Sequence, residues 1–156
     1  MKNVQRLVIA GLLTSAVVLP TLAHMEKSEP LQSLRQSYFT LVAMSFGPMA
    51  DMVKGKIEWD AKTFERWAAD LAAVSGYRVE RGFAPGSEEG KTRAKPEIWL
   101  DTEDFNEHLE GFRAAAAKLA EVAQTGDRGA IAEQLGATGR TCKGCHDEYK
   151  AKDYLY

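Results

Sequence analysis

The stretch Ile131-Ala132-Glu133-Gln134-Leu135-Gly136-Ala137-Thr138-Gly139-Arg140-Thr141-Cys142-Lys143-Gly144-Cys145-His146-Asp147-Glu148-Tyr149 decides the fold. Ile131, Leu135, Thr138, Cys142, Cys145 and Tyr149 recur at steps of 4, 3, 4, 3 and 4. That spacing keeps one stripe on one face of a helix. Both cysteines sit on the seam where other helices place leucine. Asp127, just upstream, is suited to cap the helix.

The pattern repeats outward from there. Phe105, Leu109, Phe112, Ala116, Leu119 and Ala123 step 4, 3, 4, 3 and 4, predicting a helix from Asp101 or Thr102 to the turn Thr125-Gly126-Asp127. Phe64, Trp67, Leu71 and Val74 predict another, capped by Asp60 and ending near Gly82. A loop from Phe83 to Leu100, punctuated by Pro85 and Pro96, follows it. The first helix is read from about Glu29 to Lys54, with Ser28 as N-cap and Pro30 in its first turn. Leu31, Leu34, Tyr38 and Leu41 form its seam; Phe39, Val42, Phe46 and Met49 widen it. Gly47-Pro48 should kink or break it. No stretch reads convincingly as a strand. Four helices with short connections predict an all-α fold, an antiparallel up-down-up-down four-helix bundle.

The chain has 156 residues, room for one domain. Its net charge is −2 with no basic stripe, which argues against nucleic acid as a partner. Lys2 and Arg6 precede an apolar run from Leu7 to Leu19, too short to span a bilayer. Thr21-Leu22-Ala23 supplies small residues for cleavage. Residues 1–23 therefore read as a secretory signal peptide, and 24–156 as the exported domain with net charge −4. The short charged n-region fits a bacterial periplasm. A membrane anchor is disfavoured by the short run, and no other run could cross a membrane.

Cys142-Lys143-Gly144-Cys145-His146 carries the chemistry. C-x-x-C-H reads as a site of covalent haem attachment. Thiols at i and i+3 lie one turn apart on one face, so each can form a thioether to one vinyl group. The adjacent imidazole can reach the iron. A thioredoxin-type redox pair would belong to a βαβ pattern. Structural zinc wants four ligands, and the remaining histidines are only His24 and His108. A local disulfide would strain a helical turn and leave His146 without a role. Gly136, Gly139 and Gly144 each lower helix propensity. Together they suggest that something bulky, such as haem, approaches this backbone; plain tolerance of glycine in a packed helix is the other reading.

Leu34-Arg35-Gln36-Ser37, Phe83-Ala84-Pro85-Gly86-Ser87-Glu88 with Pro96-Glu97-Ile98-Trp99, and Thr141-Cys142-Lys143-Gly144-Cys145-His146-Asp147 resemble the cytochrome c prime family, the high-spin class II c-type cytochromes. The resemblance runs from about Glu29 to Lys152. It implies a four-helix bundle, often a homodimer through the first helices, with one haem c per chain. Cys142 and Cys145 would carry the thioethers and His146 would be the single strong axial ligand. Arg35 and Gln36 would meet the haem propionates, as would Thr92 with its neighbours Lys91 and Arg93. Phe39 would cover the open side of the iron. Lys150 stands where relatives often have arginine.

The resemblance implies a periplasmic haem protein rather than an enzyme, since no distal histidine or arginine pair is evident to cleave an O–O bond. It would transfer electrons with unidentified redox partners and bind small gases, NO and CO. The apolar Phe39, lacking a donor for bound oxygen, favours NO over oxygen. The alternative is a low-spin class II carrier whose sixth ligand is a first-helix methionine. Met25, Met44, Met49 and Met52 are all poorly spaced for that role.

Overall fold

The computed structural model describes residues 29–154. The 1–23 segment read as a signal peptide, His24, Met25 and the expected Ser28 cap lie outside these residues. The helices are α1 (Glu29–Val53), α2 (Ala61–Ser75), a short α3 (Glu97–Leu100), α4 (Thr102–Ala123) and α5 (Arg128–Tyr149), with a 3-10 turn at Val79–Phe83 between α2 and α3. The four long helices form the antiparallel bundle. Among the described residues there is no strand, only a single bridge between Ala94 and Lys150. No helix among them is long and apolar enough to cross a membrane.

The helix starts follow the capping chemistry of the sequence. Asp60 Oδ1 accepts from the Thr63 amide at 2.9 Å. Asp127 Oδ1 accepts from Gly129 at 2.8 Å and Ala130 at 3.1 Å. Asp101 Oδ1 accepts from Asp104 at 3.2 Å. Each satisfies amides that the first turn leaves orphaned. The seams then meet in one core, with Phe64, Leu71, Leu119 and Ile131 fully buried. Tyr38 is buried, while Phe46 and Trp67 are half-buried against the core. α4 packs along both α2 and α5; α1 lies on α2 and the 3-10 turn and meets α5 only sparsely.

Three expectations are corrected. Gly47-Pro48 does not break α1, which runs on to Val53 with Pro48 inside. A proline clashes with the Cβ of a helical residue before it. Glycine has no Cβ, so the helix passes through this pair. Burial of Met49 and Met52 holds the following turn in place.

α2 ends at Ser75, not near Gly82. Side chains from two other helices take its terminal carbonyls. Arg113 Nε donates to Ser75 O at 3.0 Å and Tyr38 Oη donates to the same oxygen at 3.4 Å. Arg113 also reaches Tyr77 O at 3.3 Å and pairs with Glu80 at 2.7 Å. Gly82, where the helix was expected to end, falls in the 3-10 turn. The segment read as a plain loop also contains α3, which begins directly after Pro96.

Candidate functional site

The C-terminal turns of α5 bring Cys142, Cys145 and His146 to the end of the bundle formed by the start of α1, the end of α2 and the start of α4. Both cysteines are half-buried against the core, and no disulfide joins them. Burial pushes the Cys142 thiol up. Burial, with Cys142 and Asp104 nearby, pushes the Cys145 thiol up to about 11. Both are therefore neutral thiols near neutral pH.

His146 lies on the exposed side of α5. Partial desolvation of its ring, then the charges of Lys150 and Arg93, hold its pKa below the ordinary value. Its imidazole is thus kept neutral and able to act as a ligand. Lys143 and Asp147 pair across the outer face of the motif. No group of three or more His, Cys, Asp or Glu among the described residues could hold a metal ion.

Two of the α5 glycines, Gly139 and Gly144, face side chains of other helices. A Cβ on Gly139 would lie 3.4 Å from Phe46 Cζ of α1, and one on Gly144 would lie 3.8 Å from His108 Cε1 of α4.

Arg35 is buried, not a solvated surface charge. Its Nη1 donates to Gly82 O at 2.8 Å and to Ser87 O and Oγ at 3.1 Å each; Nη2 donates to Ser87 O at 3.1 Å. The guanidinium also lies 5.0 Å from the centre of the Phe83 ring and 5.8 Å from Trp99. It therefore staples the long connection onto α1. Gln36 is exposed, and the neighbouring Gln32 is the one that reaches this connection, at Glu89 O. Phe39 remains 37% exposed, its ring edge-on to Tyr38 at 5.0 Å.

Thr92 is buried and accepts from the Ala94 amide at 3.1 Å. Lys91 lies over the Tyr154 ring at 5.0 Å. Arg93 Nε donates to Ala151 O at 2.8 Å, and the Ala151 amide donates to Arg93 O at 2.8 Å. The structure thus places the 91–95 segment against the end of α5.

One contact at this end escaped the sequence reading, the meeting of Tyr149 and His108 at Asp104. Tyr149 is buried and its hydroxyl donates to Asp104 Oδ2. His108 Nε2 stands 3.5 Å from the same carboxylate oxygen. The four-residue spacing of Asp104 and His108 on α4 was the available signal.

The donor set fits haem. Two half-buried thiols stand one turn apart on one helix face, beside a neutral imidazole. The sparse contact between α1 and α5 leaves this face of α5 little covered by α1. The fold and these donors define a helical-bundle haem protein of the c type. The family model for Cytochrome C' matches residues 31–150, and the chain belongs to that family.

It is 41% identical over 119 residues to cytochrome c' of Rubrivivax gelatinosus, covering 76% of this chain and 92% of that one. Cytochrome c prime from Shewanella frigidimarina superposes with a TM-score of 0.78 at 39% identity, covering 81% of this chain and 98% of that one. The nitric oxide complex of a leucine-to-alanine variant of the Alcaligenes xylosoxidans protein gives 0.74 at 35% identity, covering 81% and 98%. The cofactor of the family, covalently attached haem c, is this chain's cofactor.

Proposed function

We propose that the protein is a periplasmic electron-transfer and gas-binding cytochrome with a five-coordinate, high-spin iron, and not an enzyme. Cys142 and Cys145 would hold the haem through thioethers and His146 would ligate its iron. Bound haem supplies an iron that changes oxidation state and accepts a small sixth ligand.

One observation carries the reading: α1 offers no methionine where a sixth ligand is needed. Met49 and Met52 are buried in the core and Met44 points outward at 67% exposure. Met49 stands ten residues beyond Phe39, about 15 Å along the axis at 1.5 Å per residue. Phe39 has no donor atom, so it restricts access without holding water or bound oxygen. NO needs such help least and is the favoured ligand, with CO second. The nitric oxide complex of the Alcaligenes relative supports this choice. Arg35, Gln36 and Thr92 are the candidate partners of the propionates, Arg35 through donors not already used on Ser87 and Gly82. Leu41 and Met44, 52% and 67% exposed on α1, support a homodimer through the first helices.

The test is an absorption spectrum of the ferrous holoprotein with and without NO. A broad high-spin Soret band that shifts with NO is expected. A sharp low-spin spectrum, unmoved by NO, overturns the open site and returns the protein to the class of dedicated electron carriers.

A further inference from the structure

The last turn of any helix leaves four carbonyls without helical partners. In α5 these belong to His146, Asp147, Glu148 and Tyr149. His146 O accepts from the Lys150 amide at 3.2 Å. The other three are all taken by one residue far away in sequence. Lys95 Nζ donates to Asp147 O at 3.1 Å and Glu148 O at 2.7 Å. The Lys95 amide donates to Tyr149 O at 3.0 Å.

The arrangement is built in. Pro96 biases Lys95 towards extended backbone, which presents its amide to a neighbouring strand-like segment. Its ammonium meets the negative end of the α5 dipole. The Ala94–Lys150 bridge and the two Arg93–Ala151 hydrogen bonds extend the clamp past the helix end.

We infer that Lys95 is a positioning residue for His146: by occupying the carbonyls of the turn that begins at His146, it fixes the backbone from which the imidazole meets the iron. The inference rests on the axial assignment made above. With the clamp closed, His146 yields little along the iron–nitrogen bond. With the ammonium removed, the turn loosens and the bond weakens.

Lys95→Met keeps the amide and the stem but removes the ammonium. In the ferrous holoprotein, its iron–imidazole stretching band in the resonance Raman spectrum should fall in frequency. Exchange of the Ala151 amide should quicken about tenfold, the effect of one lost hydrogen bond of ordinary strength. Lys95→Arg, which keeps a cationic donor, should restore both. Lys118→Met, which removes an equal charge from an exposed pair with Glu121, should change neither. Should Lys95→Met not fold, Lys95→Gln, too short to span both carbonyls, should show a smaller shift of the same sign. An unmoved band in the folded variant overturns the inference even if exchange quickens. Absence of the band from the unsubstituted protein instead overturns the axial role of His146.

Discussion

The Arg35 guanidinium grips both the carbonyl and the hydroxyl of Ser87, 52 residues away. Ser87 is fully buried, so these oxygens have no water to fall back on. Arg35→Met should therefore cost about 3 kcal/mol, the penalty for stranding buried acceptors of a charged donor. Urea unfolding of the holoprotein should show a lower midpoint at unchanged slope.

Gly82 lies beneath that same side chain. A Cβ there would sit 2.8 Å from both Arg35 Cγ and Leu34 Cδ2, and 3.3 Å from Leu31 O. The first two could give way only by spoiling the staple, and the third is backbone. Gly82→Ala should destabilise by about 1 to 3 kcal/mol, measured by the same titration.

Haem-free protein should alkylate slowly. With the Cys145 thiol held near 11, about a thousandth is thiolate at pH 8. Unfolding in urea returns it to its ordinary value and should speed reaction with iodoacetamide on the order of a hundredfold. A folded-state pKa above the unfolded one means stability is full below about pH 9 and is lost as pH rises towards 11. Native alkylation as fast as in urea would contradict the burial argument.

Tyr149 and Asp104 tie the end of α5 to the start of α4, and burial with the nearby carboxylate pushes the phenol's pKa far up. Tyr149→Phe should cost about 1 kcal/mol. Asp104→Asn combined with it should cost less than the two separate losses added, because they share one bond. A double-mutant cycle by thermal or urea unfolding measures this.

The helices and their caps were legible because they depend on neighbours in the chain: the Cys142–Cys145–Tyr149 seam and the caps Asp60 and Asp127 all appear as read. What escaped depends on partners that spacing does not reveal. Arg113 ending α2, Arg35 on Ser87 and Lys95 on α5 are each made by one side chain reaching across tens of residues. The aromatic and proline residues of the 83–100 segment gave turn signals, yet α3 formed there because Pro96 starts a helix as readily as it ends one. The motif exposed Cys142, Cys145 and His146 directly. Arg35 and Phe39 emerged from resemblance, and structure alone showed that one is buried and the other partly open.

Gly47 and Pro48 make a final point about inheritance. Neither residue favours a helix, yet α1 passes through both because each excuses the other. Alanine at 47 in front of the proline would bring the Cβ clash, so its usual gain in propensity is withheld. Once Pro48 is replaced, the same change becomes favourable. The two positions are epistatic: the order in which they mutate decides whether the path runs downhill, and a lineage holding both is slow to lose either.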